Sequence, residues 1–93
     1  MILLQRNFTA GDARKITLDY SAWLDEGITI NGASVTSNTA DVTIIAVNVN
    51  FTGTVSFYVS GGTVGETATL SIRVTDTRSE TKNDTVVLNI VAP

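Results

Sequence analysis

Residues 57–76 read FYVSGGTVGETATLSIRVTD, and this stretch decides the fold. Its second half alternates between apolar and polar residues without a break, and the apolar set is Ala68, Leu70, Ile72 and Val74. A period of two predicts a strand that buries one face. The preceding glycines, Gly61, Gly62 and Gly65, give the backbone the freedom that a tight reversal needs. The stretch therefore predicts two consecutive strands joined by a glycine turn.

The same alternation recurs along most of the chain. It marks strands at residues 15–20, 28–37, 42–49, 55–59 and 86–90. The apolar phase slips at Asn31-Gly32, which predicts a β-bulge or a hairpin turn there. It slips again at Ile44-Ile45, which predicts a strand that bends or passes from one sheet to the other.

One segment, residues 21–27, lacks this alternation. Ser21 is a possible helix cap and Gly27 a possible stop, so we expect one helical turn or a compact loop. The segment contains the single tryptophan, Trp23. We expect Trp23 to fill one end of the core, and the alternative is an exposed binding anchor.

Together these signals predict an all-β fold. Short strands spaced about 8–12 residues apart indicate an immunoglobulin-like antiparallel β-sandwich of about seven strands. A small closed barrel is the alternative. Residues 14–93 would form the sandwich, and residues 1–13 an N-terminal arm or edge segment.

Composition narrows the classes of function. A chain of 93 residues predicts one domain, and the lack of cysteine excludes a disulfide framework, so the core must suffice alone or borrow stability from neighbouring subunits. A net charge of −3 with six scattered basic residues argues against nucleic acid as a partner.

The N-terminus begins with four apolar residues, Met1, Ile2, Leu3 and Leu4. A secretory signal needs an apolar run of about 7–15 residues and a membrane span about 20, so we predict neither, and no membrane partner. Two interpretations stay open. The segment is either an edge strand packed on the domain's own surface or an arm that docks on a partner.

Few residues suggest catalysis. The chain has no histidine and no cysteine, which excludes most hydrolase constellations and zinc sites. The remaining carboxylates are the pair Asp25-Glu26 and a group near the last loop, Asp76, Glu80 and Asp84. Their spacing matches no EF-hand pattern, and basic residues lie among them, so we expect a solvated loop rather than a calcium site. We predict no catalytic residue, no metal, no cofactor and no enzyme activity.

Two segments carry a family resemblance. LDYSAWLDEG at residues 18–27 and FYVSGGTVGET at residues 57–67 resemble, in this order, a family of small tailed-bacteriophage proteins described as fibre-tail adaptors or structural proteins. That family shares a DWSxWL stretch near its start and a WLSGGTxGxxY stretch in its second half. The resemblance extends from about Thr17 to the C-terminus. The chain differs in having Tyr20 for a tryptophan and no aromatic residue at positions 67–68.

The resemblance implies a non-enzymatic structural protein of the virion, present in several copies. The expected role is an adaptor at the neck or tail that joins fibres or other components. The expected partners are tail, neck, portal-proximal or capsid subunits, with a homo-oligomer as a further possibility. A capsid cement protein that stabilises capsomers is the alternative, and a carbohydrate-binding module is a third reading.

Docking would then use two sets of residues. The apolar N-terminus would insert against a neighbour through Met1, Ile2, Leu3, Leu4 and Phe8. Outward-facing strand and loop residues, namely Tyr58, Arg73 and Arg78, would add polar and stacking contacts.

Overall fold

The computed structural model describes residues 2–50 and 52–93, which form seven strands. In chain order these are β1 (Ile2–Thr9), β2 (Ala13–Asp19), β3 (Ile30–Ser37), β4 (Val42–Val49), β5 (Thr54–Gly61), β6 (Thr67–Asp76) and β7 (Thr81–Val91). No helix in the described ranges is long and apolar enough to cross a membrane.

The strands form two sheets. The first has the order β1-β7-β6-β3 and the second the order β2-β5-β4. This arrangement is immunoglobulin-like: one sheet contains β3, β6 and β7, and the other contains β2, β4 and β5. The predicted fold class and the number of strands are confirmed, and the two separate sheets do not form the alternative closed barrel.

The first strand departs from the predicted antiparallel pattern. β1 runs parallel to β7, in a register from Ile2 opposite Thr85 to Thr9 opposite Val91. All other strand pairs in the described residues are antiparallel. The chain leaves β1 through a short turn and enters the other sheet as β2, so no hairpin forces β1 to oppose its neighbour. Periodicity reports which face is buried and not which strand lies alongside.

The core lies between the inward faces of the two sheets. Most of the buried apolar side chains come from β5, β6 and β7: Val55, Phe57, Val59, Ala68, Leu70, Ile72, Val74, Val86, Leu88 and Ile90. These are the residues that the alternation assigned to the inner face. Burying one such side chain stabilises the fold by about 1.5–3 kcal/mol, so this layer is the main source of stability.

Both predicted phase slips are found, and both are β-bulges. In β3 the register shifts between Ile30 and Gly32, which confirms the bulge at Asn31. In β4 it shifts between Ile45 and Asn48, beyond the predicted position, and Ala46 adopts a φ of 55°. β4 stays in its own sheet, so the interpretation that it passes between sheets is wrong. Ile45, which precedes the bulge, is on the outer face of the sheet opposite Tyr58.

The loop before β3 is compact and not helical. Trp23 is half-buried and packs against the core. Its ring meets that of Tyr20 edge-on, with 6.4 Å between the ring centroids. The expectation that Trp23 closes one end of the core agrees with this position.

The glycine turn after β5 packs tightly against the connection between β3 and β4. Gly62 donates its backbone N–H to the Asp41 carbonyl oxygen over 3.0 Å, and the Thr63 hydroxyl donates to the Asp41 carboxylate over 2.6 Å. A Cβ atom on Gly61 would lie 2.5 Å from the same carbonyl oxygen, and Gly61 has a φ of 88°. Only glycine fits this approach.

We predict that Gly61→Ala destabilises the domain more than Gly11→Ala. Both glycines have nearly the same positive φ, 88° and 86°, but a Cβ on Gly11 would meet nothing within 4 Å. Gly11→Ala should lower the free energy of unfolding by about 1–2 kcal/mol through backbone strain alone. Gly61→Ala should lower the free energy of unfolding by about 1–3 kcal/mol more than Gly11→Ala, because its new Cβ also clashes with the Asp41 carbonyl oxygen. Urea unfolding measures the loss of stability in both variants. Equal losses would contradict the close approach of Gly61 to the Asp41 carbonyl oxygen.

Candidate partner interface

The N-terminal residues belong to the domain's own sheet. Ile2, Leu3 and Leu4 lie in β1, an edge strand, and Met1 lies outside the described residues. Leu3 and Leu4 are half-buried and pack against the core, whereas Ile2 is 57% exposed. Of the large apolar residues described in this segment, Ile2 is thus the most exposed. The structure has the edge strand that one of our two interpretations expected.

Phe8 does not project toward a neighbour. It is 2% exposed and forms part of the core. Its position in β1 lies opposite Ile90 of β7, whose side chain also points inward. The prediction that Phe8 docks on a partner is wrong, because its side chain is already covered within the domain.

Tyr58 and Arg73 face solvent, but on opposite sides of the sandwich. Tyr58 is on the outer face of the second sheet and is 42% exposed. Arg73 is exposed on the outer face of the first sheet, between Ser34 of β3 and Asn83 of β7. One partner surface cannot contact both. Among the aromatic residues that the structure describes, Tyr58 is the exposed one.

Arg78 takes part in a network that ties two loops together. Its guanidinium lies 2.9 Å from the Asp25 carboxylate, 2.8 Å from that of Glu80 and 3.4 Å from that of Asp76. The hydrogen bond to Asp25 is the main reason that the pKa of Arg78 is raised above its usual value. The side chain therefore joins the loop before β3 to the loop after β6.

Asp76 anchors the second of these loops from inside. It is 1% exposed, and one carboxylate oxygen accepts the backbone N–H groups of Arg78 at 2.8 Å and of Glu80 at 2.9 Å. Burial acts to raise the pKa of Asp76, but these donors and the Arg78 charge outweigh it and hold the pKa below its usual value. The expected solvated carboxylate is instead a buried acceptor that shapes the turn, as aspartate does in many turns.

Asp84 is also buried, which corrects its expected place in a solvated loop. It occupies an inward position of β7, with the Lys82 amine 3.8 Å from its carboxylate. Burial raises the pKa of the Tyr20 phenol, and the charge of Asp84 and a hydrogen bond to it raise it further. This polar group lies within the core and offers no surface to a partner.

The domain has no concave site within residues 2–50 and 52–93. No cavity is found there, and no three acidic side chains converge in a way that could hold a metal ion.

The largest group of exposed apolar side chains is on β4 and β5. We call it the β4 patch, and its members are Ile45, Val47, Val49 and Tyr58. Ile45 lies directly opposite Tyr58 in the antiparallel pair, and Lys15 lies opposite Tyr58 on its other side. β4 is the edge of its sheet and carries no charged residue. Val49 lies opposite the buried Val55, so it is at the rim of the inner face, whereas Ile45 and Tyr58 are on the outer face. Exposed apolar side chains along a free edge strand are typical of interaction sites.

The sequence pointed to only one member of this patch, Tyr58. Exposure of Ile45 was not predicted, because the phase slip was placed at Ile44-Ile45, before the bulge. The bulge at Ala46 lies after Ile45 and so leaves it outside, with 56% of its surface exposed. The position of the bulge explains why Ile45 is exposed, and the alternation of apolar and polar residues did not reveal that position.

Comparison with known proteins identifies a family. A family model described as "Podophage GP4 fiber-tail adaptor protein gp77" matches residues 9–89. No curated protein sequence matches the chain. A crystal structure of a 2,6-sialyltransferase from Vibrionaceae Photobacterium sp. JT-ISH-224, in a ternary complex with CMP and lactose, matches with a TM-score of 0.60 and 14% identity. It covers 97% of this chain but only 17% of the enzyme, so the likeness shows the fold alone.

We predict that Asp76→Asn makes folding less sensitive to acid. Because the folded-state pKa of Asp76 lies below its unfolded-state value of about 3.9, ionised Asp76 adds stability above about pH 4. This stability is lost as the pH falls through the lower folded-state pKa. The wild type should therefore melt at a higher temperature than Asp76→Asn near neutral pH, and the gap should narrow in acid.

Thermal melts followed by circular dichroism across this range measure the gap. Asp12→Asn, at an exposed position in the turn after β1, is the control and should change the melting temperature little at any pH. A gap between wild type and Asp76→Asn that stays constant from neutral to strongly acidic pH would rule out the proposed role of Asp76.

Proposed function

Because the chain belongs to the family of podophage GP4 fiber-tail adaptor proteins, we propose that it is a non-enzymatic structural protein of a phage virion that joins fibres to the tail. The observation that carries this proposal is the extent of the family match. It runs from the last residue of β1 into β7 and so includes both sheets. The proposed adaptor role therefore rests on most of the sandwich, from β2 into β7, and not on one short motif.

The β4 patch is the proposed docking surface for a partner in the tail or fibre. An uncharged edge strand can accept a strand of another protein or pack against an apolar face without burying an unpaired charge. β2 forms the opposite edge of the same sheet, and it carries the charged residues Arg14, Lys15 and Asp19. These charges protect that edge from pairing with another strand. Tyr58 gives the β4 patch a rigid aromatic anchor of the kind that dominates binding energy.

A second docking surface is proposed at Ile2 on β1. β1 forms one edge of the first sheet, and β3 forms the other edge. β4 follows β3 directly in the chain. The two surfaces therefore lie on opposite edges of the sandwich. A domain with separate contact surfaces on opposite edges suits a protein that bridges two components of a particle.

Immunogold labelling of purified virions tests the function. The antibody is raised against the folded domain, and label confined to the tail or its junction with the fibres is the result expected of an adaptor. Label spread over the head would instead make the protein a capsid cement protein. Virions that carry no label would show that the protein is not part of the particle.

We predict that Ile45→Lys abolishes incorporation into virions. The charge would be placed within the β4 patch, where a partner would have to bury it. Because Ile45 is on the surface, the free energy of unfolding should change by no more than about 0.5 kcal/mol. Complementation of a phage that lacks the protein, followed by immunoblotting of purified particles, measures incorporation.

Val64→Lys is the matched control for this experiment. Val64 is 55% exposed, nearly as much as Ile45, but lies in the loop between β5 and β6. It should enter virions as the wild type does. Normal incorporation of Ile45→Lys would overturn the β4 patch as a docking surface while leaving the adaptor role to the labelling experiment.

A further inference from the structure

Asn31 is chemically distinct among the asparagines of the chain. The sequence has seven asparagines, and only Asn31 is followed by glycine. The backbone nitrogen of a following residue can attack an asparagine side chain, and a side chain on that residue hinders the approach. Glycine presents no such hindrance.

The structure places Asn31 where the strand is irregular. The register passes from Ile30 opposite Asp76 to Gly32 opposite Thr75, so Asn31 is the extra residue of the bulge and has no ladder partner. β3 is an edge strand, and the Asn31 side chain is exposed. A Cβ on Gly32 would meet nothing within 4 Å, so the space beside Gly32 is open.

Several other asparagine side chains are held by hydrogen bonds. Asn38 accepts the Thr69 backbone N–H over 2.8 Å, Asn50 accepts the Thr52 backbone N–H over 2.9 Å, and Asn48 donates to the Ala46 carbonyl oxygen over 3.0 Å. Within the described ranges, the Asn31 amide makes no such bond. Its carbonyl carbon is therefore less restrained than those of Asn38, Asn48 and Asn50.

We propose that Asn31 is a site of spontaneous deamidation. The Gly32 backbone nitrogen loses its proton and attacks Cγ of Asn31. The new N–Cγ bond closes a succinimide ring, the Cγ–Nδ2 bond breaks, and the Nδ2 group takes up a proton from solvent and leaves as ammonia. One water molecule then opens the ring at either carbonyl, which gives aspartate or isoaspartate at position 31.

The modification changes charge near the loop network. Ile30 lies opposite Asp76, and the Thr77 N–H donates to the Thr29 carbonyl oxygen over 3.0 Å, so the start of β3 borders the loop that Arg78 and Asp76 organise. A new carboxylate adds negative charge beside a network in which one arginine already faces three carboxylates. The isoaspartate product also lengthens the backbone of β3 by one methylene. The proposal is independent of the adaptor role.

Ageing of the purified full-length chain tests the proposal. The protein is kept under native conditions at neutral and at mildly alkaline pH, digested, and mapped by mass spectrometry with separation of the aspartate and isoaspartate peptides. Most of the deamidated product should carry the change at position 31. Its rate should rise with pH, because the attacking nitrogen must lose a proton.

Gly32→Ala is the decisive variant. Gly32 does not have a positive φ and its surroundings are open, so alanine should be accommodated, which circular dichroism checks. The variant should deamidate at position 31 several-fold more slowly than the wild type. Equal rates in the two proteins would overturn the proposal. So would an unmodified Asn31 in the native wild type that reacts only after unfolding in urea, since the bulge would then be protective.

Discussion

The structure depends on a single layer of apolar side chains between two sheets, with no disulfide to supplement it. β6 is central to this layer, because four of its residues, Ala68, Leu70, Ile72 and Val74, are almost completely buried. A shift of one residue in its pairing would turn all four toward solvent, so the core fixes the register of its neighbours. The bulges at Asn31 and Ala46 are tolerated where they are because β3 and β4 are edge strands.

Much of the fold could be predicted because strands report their faces through alternation. The inward residues of β5, β6 and β7 and the bulge at Asn31 followed from it. The parallel pairing of β1 did not, since a pattern along one strand carries no information about its neighbour. The burial of Asp76 and Asp84 was also missed, because a carboxylate looks the same in sequence whether water or backbone N–H groups satisfy it.

The candidate interface was predictable only in part. Tyr58 followed from the alternation of β5, whereas Phe8 was grouped with the apolar N-terminal residues that were predicted to dock on a neighbour. Ile45 was missed for a different reason. A phase slip shows that an extra residue exists but not which of several adjacent positions holds it, and here the residues on either side of Ala46 are both apolar. Exposure could therefore be assigned only once the backbone conformation of Ala46 was known.

The parallel pairing of β1 with β7 has a mechanical consequence. A force that pulls the start of β1 and the end of β7 in opposite directions makes the two strands slide along each other. From Leu4 to Thr9 the register has no break, so the hydrogen bonds of this ladder share the force and must rupture nearly together. A hairpin that is pulled from its open end loses its bonds one at a time and yields at a lower force. β1 and β7 are thus paired in a geometry in which the hydrogen bonds share the load.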